Sequence, residues 1–205
     1  KLALDELNEV EKALPFFNQK FGRYTYPEFD IMETRHAGAM EYPTIIQTSS
    51  KSGEGAGESS VAHELGHQWF YGMVGNDSYN NSAVDESFAQ FTGDYFKYYM
   101  KGEIDSKGNI DFTKIPSFIA PENQDAYIKR VEQLIQDSGR INRPLDQYPS
   151  GRIFSETVYR KGSIALKDLY GKVGQKKFDQ IMKTYVAQNK FTNATLSNFC
   201  DVVKQ

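Results

Sequence analysis

Cysteine is nearly absent: a single one, Cys200, in 205 residues rules out an internal disulfide, and it is read as an inert buried side chain. Long apolar runs are absent as well. None approaches the ~20 residues that span a bilayer, and the first residues carry no charged-then-apolar leader pattern. The chain as given therefore reads as a soluble domain with no membrane partner of its own. Excess positive charge is also lacking. The 24 basic residues face 27 acidic ones, a net charge of -3, without the basic surface that phosphate backbones attract, so nucleic acid is not an expected partner. Histidine is scarce, with three in the chain, which gives weight to any clustering of them. What is present is enough chain to bury a core, as one large domain or two small ones. Lys1 stands directly inside an amphipathic stretch, so the sequence reads as cut from a longer protein. Whether that protein is cytoplasmic, exported or membrane-anchored stays open, although richness in Lys, Asn and Tyr has the slant of an AT-rich bacterial genome. Asn76, Asn80 and Asn193 each begin an Asn-x-Ser/Thr pattern, read as chance in an Asn-rich chain.

Leu4, Leu7, Val10, Leu14, Phe17 and Phe21 recur at three- and four-residue steps and predict a helix, which Gly22 and Pro27 end. Phe29 to Met32 and Thr44 to Thr48 read as two short strands separated by Gly38. Lys51 to Ser60 holds three glycines and three serines, a loop whose last serines cap a helix over Val61 to Tyr71. After Gly72, Gly75 and an Asn-rich turn, Ser82 followed by Asp85 resembles a capping box opening a helix to about Met100. A polar loop leads to a helix over Asp125 to Gln136, with Ile128, Val131, Leu134 and Ile135 on one face. Further helices are predicted over Tyr159 to Tyr170, Gln175 to Gln188 and Thr195 to Val203. A small sheet followed by helices gives an α+β fold, without the strand-helix alternation of a doubly wound sheet.

Two of the three histidines fall in His63-Glu64-Leu65-Gly66-His67, four residues apart on a helix. Both imidazoles then share a face one turn apart, the geometry that suits one zinc ion. Glu64, about 100° around the helix from His63, can reach a water on the metal without occupying it and takes the general-base position. A catalytic site needs a third protein ligand. Phe70 and Met73 stand where a third-histidine arrangement would need glycine and histidine, so a carboxylate must serve. Eighteen residues separate His67 from Glu86, in the first turn of the next helix, and two antiparallel helices bring it back to the pair. Asp85 is the neighbouring alternative, pointing about 100° away from Glu86. The bland reading is a satisfied core histidine pair beside acids that serve a helix dipole. The scarcity of histidine and the placement of Glu86 weigh against it.

With these residues in view, the chain resembles the gluzincin aminopeptidase family, which includes aminopeptidase N and the leukotriene hydrolases. Three motifs carry the likeness: Gly38-Ala39-Met40-Glu41-Tyr42, His63 to Trp69 with Glu86, and Val158-Tyr159-Arg160-Lys161-Gly162. Their order and spacing extend it over essentially the whole chain. The resemblance implies a thermolysin-like zincin catalytic domain over 1–205. About 1–60 would be helix and small sheet, 61–100 the zinc-binding helix pair, and 101–205 a helical part carrying Tyr159. It implies that Glu41 binds the α-amine of a peptide substrate while the backbone of Gly38, Ala39 and Met40 pairs with the peptide as an added strand. It implies that Tyr159 donates to the oxyanion. One further histidine, His36, lies just before the edge strand, so a downstream histidine is not available as oxyanion donor. Three departures stand out. Tyr42 and Pro43 replace the usual asparagine and its neighbour. Gly93 stands where the family often has an acid, with Asp94 the expected replacement as a partner orienting a ligand. The flanking β domain and helical domain of the family lie outside this chain.

The function so implied is a zinc-dependent aminopeptidase with one zinc ion. Glu64 would draw a proton from a zinc-activated water, and Tyr159 would stabilise the oxyanion of the first peptide bond. The alternatives are a zinc endopeptidase or other hydrolase on the same scaffold, and an inactive peptide-binding domain. The intact pair Glu64 and Tyr159 speaks against the last.

Overall fold

A computed structural model describes residues 2–35, 38–49, 57–117, 119–136 and 139–205. His36 and the greater part of the serine- and glycine-rich loop lie outside the described residues. The first helix, α1 (Leu2–Phe21), leads into two parallel strands, β1 (Asp30–Thr34) and β2 (Ile45–Ser49), in register from Asp30 opposite Ile45 to Thr34 opposite Ser49. On the other side of β2, Met40 pairs antiparallel with Gln47, so the segment read as an edge strand does border the sheet. The remainder is helical: α2 (Gly57–Gly66), α3 (Phe88–Met100), α4 (Gln124–Gln136), a single turn α5 (Gly151–Phe154), α6 (Gly162–Val173), α7 (Gln175–Asn189) and α8 (Leu196–Lys204). The architecture is the expected α+β one.

The core is aromatic. Phe17 and Phe21 of α1 meet the ring of Trp69 edge-on, whose indole N–H donates to Gly22 O at 2.7 Å. Phe70 and Phe88 carry the packing onward to Tyr185 of α7 and Phe199 of α8. A buried ion pair ties the same elements together: Lys20 Nζ lies 2.8 Å from Asp179, which also accepts from Tyr95 OH at 3.0 Å.

Several local expectations are corrected. The helix expected from Val61 already runs from Gly57, so Ser59 and Ser60 lie within it and not before it. It ends at Gly66, not Tyr71. Beyond it Gly72, Met73 and Val74 donate five residues back, to His67, Gln68 and Trp69, wide turns that bury Trp69 and Phe70 completely. Ser82 makes no capping bond. Residues Ala83–Ser87 form one wide turn of the π type before α3 begins at Phe88. Ser155–Lys161 form a second such stretch before α6. Ile135 is exposed while Leu134 of the same helix is buried. Cys200 is exposed, because α8 turns its neighbour Phe199 and then Val202 inward.

Candidate metal centre

The helices α2 and α3 approach closely because glycine stands where they meet. A Cβ on Gly66 would overlap Thr92 Oγ1, and one on Gly93 would lie 3.3 Å from the backbone nitrogen of His63. Gly93 is thus a close-approach position, with little room for the acid that the family resemblance leads one to expect there. The wide turn before α3 then swings Glu86 back toward α2.

The result is a triangle of three donors. His63 Nε2 lies 3.1 Å from His67 Nε2, and Glu86 Oε2 lies 3.3 Å from each. A tetrahedral zinc with ligand bonds of ~2.0–2.1 Å requires donors roughly 3.3 Å apart, so these residues fit the ion. The donor chemistry agrees. His67 Nδ1 faces Asp85 Oδ1 at 2.7 Å and Phe70 O at 3.2 Å. With a metal bound, that pairing would hold the ring's one proton on Nδ1 and leave Nε2 to ligate.

The electrostatics are those of a centre short of positive charge. Burial lowers the pKa of His67, but the carboxylates of Asp85 and Glu86 outweigh it and raise it well above the ordinary value. Burial pushes Glu86 up, and its hydrogen bonds to His63 and His67 prevail and hold it far below the carboxylate range. Glu64, buried, is pushed up to about 7 by desolvation against the two histidines, with Glu41 and Glu86 adding to the rise. Glu41 is raised by burial, with Asp85 and Glu86 adding repulsion. Its carboxylate, that of Glu64 and the His67 ring lie with donor atoms within 4.8 Å of one another.

Tyr159 stacks on His63, with ring centroids 5.7 Å apart and planes at 14°. Desolvation first, then the charge and hydrogen bond of Glu86, drive its pKa far above the ordinary phenol. Its hydroxyl therefore keeps its proton as a donor. Phe154 meets the Tyr159 ring edge-on at 5.8 Å.

The structure thus gathers Glu41, His63, Glu64, His67, Glu86 and Tyr159 in one place. Gly38, Ala39 and Met40 precede Glu41 along the segment beside β2. Asp94 stands apart from the role expected of it: it accepts from Lys167 at 2.6 Å, Ser163 at 2.9 Å and Gln90 at 3.1 Å, tying α3 to α6. The carboxylate on a histidine is Asp85. A helical 100° step had placed it elsewhere, but in a wide turn successive side chains subtend a smaller angle. Sequence reasoning also passed over Gln68 and Ser87, each the next residue after a metal-type donor. Ser87 Oγ donates to Val158 O at 2.6 Å.

A short sheet bordered by a glutamate-bearing segment, His-Glu-x-x-His at the end of a helix and a third donor, the Glu86 carboxylate, in the wide turn before the next helix define a zinc metallopeptidase of the gluzincin class. Residues 5–205 match the Peptidase family M1 domain, and the chain belongs to that family. Among curated relatives, it is 26% identical to a "Probable aminopeptidase 1" of Saccharolobus solfataricus, over 95% of this chain and 25% of that protein. It is also 26% identical to the "Leucine aminopeptidase 2-1" of Meyerozyma guilliermondii, over 87% of this chain and 29% of that one. Among solved structures, a variant of the M1 zinc metallopeptidase from Deinococcus radiodurans bound to a Tyr-Ser-Ala substrate superposes with a TM-score of 0.71. Identity is 22%, over 96% of this chain and 40% of the other. The chain spans about a quarter of the length of the curated relatives it matches. Among the described residues no helix is long and apolar enough to cross a membrane.

Proposed function

We propose that this chain is the catalytic domain of a zinc-dependent aminopeptidase that hydrolyses the first peptide bond of short peptides. The observation that carries it is Glu41, a partly buried carboxylate within 4.8 Å of the donor atoms of Glu64 and His67. A carboxylate held at one end of a metal centre is suited to an α-ammonium and to little else that a peptide offers there. Relatives named as aminopeptidases, and a family member seen with a tripeptide, support the substrate class.

His63, His67 and Glu86 would hold one zinc ion. When bound, zinc supplies Lewis acidity that acidifies a water and polarises the scissile carbonyl. Glu64, with its pKa raised to about 7 by burial, is matched to taking a proton from the attacking water and returning it to the leaving amine. Tyr159, kept protonated, donates to the oxyanion. Glu41 binds the α-ammonium and so fixes which peptide bond is presented. The backbone of Gly38 to Met40, on the open side of the pairing with β2, pairs with the peptide as an added strand.

The test pairs metal analysis with hydrolysis of aminoacyl reporter amides, with free and with blocked amines, by the intact protein. One zinc per chain and a strong preference for free-amine over blocked substrates are expected. Equal cleavage of blocked peptides would move the assignment to an endopeptidase. Bound zinc without any hydrolysis would leave a peptide-binding domain.

A further inference from the structure

The segment that carries Glu41 is a tight hairpin. At its base Met40 N–H donates to Gln47 O at 3.0 Å and Gln47 N–H to Met40 O at 2.8 Å. At its tip Ile45 N–H donates to Tyr42 O at 3.2 Å, closing a four-residue turn with Pro43 and Thr44 at its centre. Proline at the second position and a positive φ at the third are marks of a type II turn, whose third position favours glycine. Here that position holds Thr44 at φ +69°, a left-handed conformation that branched side chains rarely adopt. Such a residue persists only where its surroundings over-determine it.

The group that does so is Gln68. Its side chain is fully buried, it directly follows His67, and both halves of its amide engage this turn. Thr44 N–H donates to Gln68 Oε1 at 2.8 Å, and Gln68 Nε2 donates to Tyr42 O at 3.1 Å. Only one orientation of the amide satisfies both partners. The side chains of Tyr42 and Pro43 are exposed and do little to hold the turn themselves. Asp30 N–H adds a bond to Thr44 O at 2.8 Å from β1.

We infer that Gln68 is a positioning residue for amine recognition. By fastening the turn after Glu41 to the residue after His67, it sets the gap between the Glu41 carboxylate and the metal ligands, the gap that a substrate's first residue must fill. This rests on the reading of Glu41 as the group that takes the α-ammonium. A free-amine substrate depends on the gap, and an amino-blocked one does not.

Gln68→Met keeps length and apolar bulk while removing both hydrogen bonds. In the intact zinc-loaded protein it is expected to leave zinc stoichiometry unchanged, to raise KM for aminoacyl amides tenfold or more, and to lower kcat less than threefold. The preference for free over blocked amines should shrink with the rise in KM. Adding Thr44→Gly, which suits the turn without a clamp, should recover most of the lost KM. An unaltered KM, equal losses on free and blocked substrates, or loss of zinc overturns the inference. If Gln68→Met is recovered unfolded, the double variant decides. Folding regained together with the amine preference supports the role, and folding regained without it, or not regained, overturns it. Glu41→Gln, measured alongside, separates the two layers. If the amine preference survives that change, the reading of Glu41 fails and the inference with it. If the preference is lost there while Gln68→Met leaves KM unchanged, the inference alone fails.

Discussion

At His67 the two ring nitrogens have different partners, and the difference sets what the residue can do. Nδ1 faces Asp85 at 2.7 Å, and Nε2 faces His63 and Glu86. A neutral imidazole carries one proton, and the carboxylate claims it, so the other nitrogen is free to ligate. Asp85→Ala is expected to weaken zinc binding by about 10- to 100-fold, read by competition with a chromogenic chelator. An affinity unchanged within twofold would remove Asp85 from the site. Tyr159→Phe makes the complementary separation. The ring still stacks on His63, so zinc binding should be untouched while kcat falls about 10²- to 10³-fold on an aminoacyl amide. A fall in zinc content to match the fall in rate would assign the residue to the metal site and not to the oxyanion.

At the scale of elements, the two wide turns are joined to each other. Glu86 lies in one and Tyr159 in the other, and Ser87 Oγ, buried, donates to the carbonyl of Val158. Gly162 leaves room for this, since a Cβ there would overlap Ser87. Ser87→Ala leaves a buried acceptor without that donor and is expected to cost about 1–3 kcal/mol, measured by urea unfolding. A change below the error of the extrapolation would show that the bond is not a structural tie. These turns mark the boundary of what was legible. The meeting of His63, His67 and Glu86 could be read because a four-residue step on a helix is a strict period and histidine is rare in this chain. The helices Gln124–Gln136, Gln175–Asn189 and Leu196–Lys204 could be read to within a residue, because periodic apolar faces announce themselves, whereas the one expected over Tyr159 to Tyr170 lies three residues later, at Gly162–Val173. The wide turns could not, because nothing in Ser82 to Ser87 or Ser155 to Lys161 breaks a helical pattern. Their hydrogen bonds slip by one residue where the two turns pack against each other. Two things were lost to sequence reasoning with that slip: the failed cap at Ser82 and the turn of Asp85 onto His67. The Gln68 clamp was hidden for another reason, since its partners are backbone groups of a turn 24 and 26 residues away in sequence.

For the molecule as a whole, the decisive imbalance is four carboxylates, Glu41, Glu64, Asp85 and Glu86, around two histidines. Repulsion among them already contributes to the raised pKa values of Glu41 and Glu64, so the fold is held together across a centre that a cation would relieve. A dication would bind the folded arrangement and would find no comparable triangle of donors in the unfolded chain. Its binding therefore adds to folding stability by mass action, about 4 kcal/mol at a thousandfold excess over Kd. For a domain of this size each kcal/mol moves Tm by about 2–4 °C. Stripping zinc from the intact protein with a chelator should therefore lower Tm by roughly 10 °C, reversibly on readdition, with hydrolysis lost and regained in step. Glu86→Gln should largely abolish the difference between the two states, because it removes a ligand and a charge together. Glu41→Gln should narrow it less and from the other side, by raising Tm of the stripped form, since one of the repelling charges is gone while all three ligands remain. If the stripped and loaded proteins melted together, the triangle of His63, His67 and Glu86 would not be what holds the metal, and the catalytic assignments of Glu64 and Tyr159 would fall with it.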